Sequence, residues 1–232
     1  MLKHITLYYL LIWMTVSQAA FCQGERSSLL MTEDNALKPI YGKFEHRPPY
    51  PDMLAVPAVQ ELMIARTEIT VYQYRVFCEA TQRAMPKRMP SWGWREQHPV
   101  VYISLEDAQD YCKWLTVKTG LNYRLPTIEE WEKAVGRNEV AATLKKIAWF
   151  GETDSSIGTK TVATKAPNAH GIYDMFGNVW EWCQPVKGNV KTPVKGGSWN
   201  RAAAAISKKN TEWVPAQTRS LDIGFRPVVE LQ

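Results

Sequence analysis

The chain has 232 residues, with 28 Lys and Arg against 23 Asp and Glu, and 45% of it is apolar, including 10 tryptophans. That composition suits one domain with a packed core and excludes a disordered chain. A net charge of +5 with no block of Lys or Arg gives nucleic-acid binding no support.

The first residues, MLKHITLYYLLIWMTVSQAAFC, read as an export signal. Lys3 and His4 form a basic start, Ile5 to Val16 an apolar run, and Ser17-Gln18-Ala19 the small residues preferred before a cleavage site. The run is shorter than the roughly 20 apolar residues that a membrane span needs. Cleavage after Ala19 or Ala20 is favoured over lipid attachment at Cys22, because Phe21 stands where a lipidation site wants Gly or Ala. The expected mature chain is exported to the periplasm without a membrane span. Losing residues 1–19 removes one lysine and no acid, so the charge falls from +5 to +4.

Residues 20–52 are polar and proline-dotted, a leader segment ahead of a domain over 53–232. The stretch LMIARTEIT, from Leu62 to Thr70, predicts a strand running into a turn. Thr70 and Gln73 have the spacing of a capping box and open a helix through Glu79. Ser104 opens a second helix with Asp107 at its third position, and Leu105, Ala108, Cys112 and Leu115 fall on one face. Thr127 and Glu130 cap a third, short helix that ends near Gly136. Beyond residue 148 the helical period is lost. Gly, Asn, Pro, Ser and Trp dominate there, with TPVKG and GFRPVVEL as strand candidates. The pattern is α+β, with few regular elements and a loop-rich second half.

The four cysteines, Cys22, Cys78, Cys112 and Cys183, all survive cleavage, and their pairing is open. None forms a CxxC motif, and the mature chain has only His46, His98 and His170, so zinc binding is weakly indicated. Arg124, Glu130, Trp131, Trp180 and Trp182 read as internal glue, since Arg–carboxylate pairs and indole N–H groups find partners where loops replace sheet ladders. His98, before Pro99, reads as a packed turn residue.

Five segments occur in one order: HPVVYISLEDAQDYCKWL, YRLPTIEEWEKAV, GIYDMFGNVWEW, KGGSW and DIGFRPV. Together they resemble the formylglycine-generating enzyme (sulfatase-modifying factor) family over roughly residues 53–229. The resemblance implies a single domain with an irregular variant of the C-type lectin fold. It also implies one structural calcium site, held by the side chains of Asp174 and Glu181 and the carbonyls of Gly177 and Val179. A glycine turn between two acids suits a cation that takes several oxygens.

Formylglycine-generating members need two cysteines downstream of the GGSW-type motif to hold copper(I), for which thiolate is a natural ligand. Here those positions fall on Arg201 and near Ile206, and no cysteine follows Cys183. No copper and no catalytic residue are therefore expected. The family's disulfide from the Cys112 position would end where Pro227 stands, so that bridge cannot form. Around the emptied position, Ala202 to Ala205 form an apolar strip flanked by Trp199, Asn200, Arg201, Lys208, Lys209 and Trp213, the composition of a recognition patch.

The expected function is an exported, non-catalytic module that binds, inhibits or regulates a protein of the cell envelope, for example a periplasmic toxin enzyme. The alternative is an exported metal-dependent oxidase or tailoring enzyme that works without the cysteine pair. Carbohydrate binding is disfavoured because the lectin Glu-Pro-Asn signature is absent.

Overall fold

The computed structural model describes residues 36–37, 49–136, 141–151 and 157–231. The chain divides into two units, Met1–Glu45 and His46–Gln232. Of the first, only the extended pair Ala36–Leu37 is described. The export signal, Cys22 and nearly all of the leader lie outside the described residues. No described helix is long and apolar enough to cross a membrane.

In the second unit, β1 (Met53–Ala55) and β2 (Leu62–Ala65) form an antiparallel hairpin with Leu54 opposite Ile64. All four residues of β2 are buried, which explains its unbroken apolar run. Helices α1 (Val71–Thr81), α2 (Leu105–Thr119) and α3 (Ile128–Val135) each begin at a reciprocal capping box: Thr70 with Gln73, Ser104 with Asp107, and Thr127 with Glu130. Each box satisfies two N–H groups that a helix start otherwise leaves open. A fourth helix, α4 (Ala141–Ile147), was not expected. The first sheet also takes β3 (Asn122–Arg124) and the chain's last strand, β8 (Val228–Glu230), which lies between β2 and β3.

The second sheet has the order β6 (Thr211–Val214), β5 (Thr192–Lys195), β4 (Trp180–Trp182), β7 (Ile223–Gly224). Its β4–β7 pair is parallel and its other pairs are antiparallel. Phe225 to Pro227 carry the chain from the second sheet to the first. Phe225 joins Tyr74, Phe77 and Tyr111 in an aromatic cluster against α1 and α2, with ring centroids 5.3–6.5 Å apart. Arg226 is left at the centre, wholly buried.

The expected glue is present. Arg124 grips Glu130 through two 2.7 Å hydrogen bonds and also pairs with Glu230. The Trp131 and Trp182 indoles donate to Glu181 and to the carbonyl of Ile103. Trp180 differs: its indole N–H is buried without a partner. Among the described residues, Cys78, Cys112 and Cys183 are buried and form no disulfide with one another. Burial pushes the Cys78 thiol up to about 11 and raises those of Cys112 and Cys183, so all three behave as packing groups.

His98 is packed as expected, its Nδ1 3.0 Å from Thr159 Oγ1. Burial, with Arg95 and Lys160 nearby, lowers it from 6.5 to about 4. The unfolded chain therefore binds this proton first as pH falls. The stability from a neutral His98 is complete above pH 6.5 and is lost as pH drops toward 4. Denaturant titrations at pH 7 and pH 4 are expected to show about 2 kcal/mol of pH-dependent loss that His98→Gln lacks. Equal losses in both proteins would assign the effect elsewhere.

Candidate functional site

The segment DMFGNVWEW folds as a tight turn leading into β4. Gly177 has φ +75°, and a Cβ there would sit 2.1 Å from the Trp149 carbonyl oxygen, so only glycine allows this approach. Asn178 donates its N–H to that same carbonyl and accepts from the N–H of Lys160 through its side chain. The turn then delivers Glu181 inward, where it is 0% exposed.

Glu181 meets Arg226. Arg226 Nε lies 2.9 and 2.8 Å from the two carboxylate oxygens, and Nη2 lies 2.7 Å from Oε1. Trp131 Nε1 donates to Oε2 at 2.7 Å. The rest of the guanidinium donates to the carbonyls of Ala65 and Tyr173 at 3.0 and 2.9 Å. This is a buried ion pair with its spare donors satisfied, the condition under which such a pair is tolerated in a dry interior.

Two further acids share this interior. Asp174, at φ +53°, accepts from the Ala163 N–H through Oδ2 at 2.7 Å, while its buried Oδ1 has no partner among the described residues. Burial raises its carboxyl to about 6 against the pull of the Ala163 amide and Arg226. Glu68 is 0% exposed, and neither of its oxygens has a partner among the described residues. Burial first, and the Asp174 carboxylate next, push it well above the usual carboxylate range, with Arg226 opposing. Backbone bonds from Tyr173 N to Arg66 O and from Ile69 N to Phe225 O hold this stretch in place. Counted as ionised, the three carboxylates leave two formal negative charges beside one guanidinium, with Lys165 also drawing on Asp174 and the raised Glu68 and Asp174 carboxyls favouring the protonated form. Sequence reasoning missed Glu68. Its signal was a single charge inside the otherwise apolar or neutral run after Arg66.

A calcium ion takes six to eight oxygen ligands. Asp174 Oδ1 and both oxygens of Glu68 are uncommitted. Among the described residues, no backbone hydrogen bond outside the helices and strands ends on the carbonyl of Gly177 or Val179. Glu181 has no such capacity, because its oxygens already accept four hydrogen bonds from Arg226 and Trp131. Asp174 and Glu68 thus keep acceptor capacity that Glu181 lacks. Among the described residues, no group of three His, Cys, Asp or Glu could hold a metal.

The second region surrounds Arg201. Its Nη2 lies 3.2 Å from Glu212 Oε2 and 3.9 Å from Asp222 Oδ2, and its Cζ is 5.9 Å from the centre of the Trp180 ring. Ile206 is buried. Trp199 packs edge-on to Trp92 at 5.5 Å, and Asn200 accepts from Ser198 Oγ at 2.8 Å. Ala203–Ala205 form a 3-10 turn with no buried residue.

The six residues of the expected patch do not form one surface. Trp199, Asn200 and Arg201 share a loop. Lys208 donates its Nζ to the Gly136 carbonyl at 2.6 Å, so its charge is engaged within the fold, while Lys209 is exposed. Trp213 follows Glu212 on β6, and side chains alternate along a strand, so it faces away from the Arg201–Glu212 pair. Neither of the latter positions was legible without the strand.

Residues 41–231 match the Sulfatase-modifying factor enzyme 1-like domain. The chain belongs to that family. The formylglycine-generating enzyme of Streptomyces coelicolor is 33% identical over 111 residues, 38% of this chain and 32% of the relative. The inactive C-alpha-formylglycine-generating enzyme 2 of Bos taurus is 33% identical over 169 residues, 59% of this chain and 52% of the relative. The chain thus spans about a third to a half of the length of these relatives. PvdO from Pseudomonas aeruginosa has a similar structure, with a TM-score of 0.64 and 24% identity over 73% of this chain and 80% of that one. CarF gives 0.61 and 25% over 74% and 87%. The sulfatase-modifying-factor-like, C-type lectin-like α+β fold is as expected, down to its scarcity of regular elements. In this family member, no cysteine follows Cys183.

Proposed function

We propose that this chain is an exported, non-catalytic member of the sulfatase-modifying factor family that binds a protein partner of the cell envelope. The observation that carries the reading is that Arg201, which the family resemblance counts onto a copper-ligand position, is paired with Glu212 and lies near the Trp180 ring. A guanidinium is always protonated and offers no lone pair to a metal. It is, however, a common anchor in protein interfaces. A relative that lacks the activity by name supports the same direction. Where the bound face covers the partner's own active site, binding inhibits it.

A structural calcium belongs to this reading. Asp174 and Glu68, with the carbonyls of Gly177 and Val179, would hold it, and it would balance the excess negative charge of the interior.

Capture from envelope extract tests the binding face. Wild type and the control Lys118→Glu are expected to retain the same partner, and Arg201→Glu is expected to retain less than a tenth of it. Equal capture by Arg201→Glu would overturn the reading of this face.

A further inference from the structure

A cavity of about 700 Å³ lies between the segment that follows α1 and the start of α2, apart from both regions described above. Its size falls in the range that takes a drug-sized ligand or a side chain or two of a partner, about 300–1,000 Å³. The floor is aromatic: Tyr74 and Tyr102 are both buried and both line it. Tyr102 has φ +59°, a strained conformation for a bulky residue. Such strain persists only where the surroundings hold it, and it gathers at ligand sites. Here the hold is a hydrogen bond from the Tyr102 N–H to the Ser220 carbonyl and another from Arg219 to the Tyr102 carbonyl.

The walls are basic. Arg83, Lys87, Arg88 and Arg219 line the cavity against Glu106 and Asp107, leaving a net charge of +2. Arg83 and Arg219 are both engaged by Asp107. Lys87 and Arg88 have no carboxylate partner among the described residues, and Arg88 rests 5.3 Å over the Tyr102 ring. Two uncompensated cations over an aromatic floor suit a carboxylate joined to an apolar group.

The wall itself suits a peptide backbone. The stretch 84–89 has no helix or strand, and the N–H groups of Met85, Lys87, Arg88 and Met89 donate to no described residue. An extended partner segment can hydrogen-bond along such a stretch while its alternate side chains enter the pocket.

We infer that this cavity takes an acidic, extended peptide segment of a partner protein, with a carboxylate on Arg88 and Lys87 and an apolar side chain on the Tyr74–Tyr102 floor. The inference deepens the partner-binding reading and rests on it for its biological sense.

Fluorescence polarisation with labelled hexapeptides tests it. The probes are Gly-Phe-Glu-Leu-Glu-Gly, its lysine counterpart Gly-Phe-Lys-Leu-Lys-Gly, and N-acetylglutamate as a competing small anion. The acidic peptide is expected to bind at least tenfold tighter than the basic one, more weakly as salt rises. Arg88→Glu and Lys87→Glu, both exposed and checked for native circular dichroism, should each weaken it tenfold or more, while Arg201→Glu leaves it unchanged. Equal binding of the two peptides, or an Arg88→Glu protein that binds like wild type, would overturn the inference. So would N-acetylglutamate displacing the peptide at equal concentration, since the apolar and backbone contacts would then contribute nothing. Partner capture that depends on Arg201 without acidic-peptide binding would sink this inference and leave the binding-module reading standing. Peptide binding with capture indifferent to Arg201 would do the reverse.

Discussion

Arg226→Ala is expected to lower the unfolding free energy by about 3–5 kcal/mol, because it strands the Glu181 carboxylate in a dry interior. Glu181 would keep only the Trp131 indole as a donor, beside two other acids that Arg226 now restrains. Two backbone carbonyls, of Ala65 and Tyr173, would lose their donors as well. Arg226→Lys should recover little, since an ammonium cannot make the forked contact with Glu181 and reach both carbonyls. Urea denaturation with circular dichroism measures this directly. An Arg226→Ala protein within about 1 kcal/mol of wild type would mean that the pair is solvated or replaced by another contact.

Glu68→Met is expected to change stability in opposite directions with and without calcium. In excess chelator the wild-type protein carries a buried carboxyl with no partner, which costs about 1–3 kcal/mol, so a methionine of similar shape should be more stable. In calcium a few hundredfold above its dissociation constant, wild type gains about 3–4 kcal/mol and the variant gains little. The two melting curves should therefore exchange order when the chelator is replaced by calcium. Asp174→Ala should likewise lose the calcium response. A wild-type melting temperature indifferent to calcium would remove the cation from this interior, and an unchanged response in Glu68→Met would remove Glu68 from its ligands.

Local features of this fold were legible, and long-range ones were not. The three capping boxes lie within four residues each, so spacing alone found α1, α2 and α3. Helix α4, seven residues of AATLKKI, has no such box to announce it. Strands of two to four residues are too short for a period to show, so β4 and β7 passed unnoticed within motifs quoted for other reasons. The calcium expectation treated Asp174 and Glu181 as equivalent acids on one turn. It could not see that Arg226, from the DIGFRPV segment, folds onto Glu181, or that Glu68 arrives from the first sheet. Those residues meet only because the chain crosses between sheets at Phe225 to Pro227. Likewise, Trp213 reads as a neighbour of Arg201 until β6 assigns Glu212 and Trp213 to opposite faces.

The loss of the copper ligands is the claim on which the functional reading turns, and turnover tests it most directly. The purified chain, supplied with copper(I), oxygen and a cysteine-containing sulfatase-type peptide, can be followed by mass spectrometry for conversion of the thiol to an aldehyde. With Arg201 and Ile206 in place of thiols, no aldehyde is expected above the copper-only control. Aldehyde formed over several turnovers per protein molecule would contradict the non-catalytic assignment.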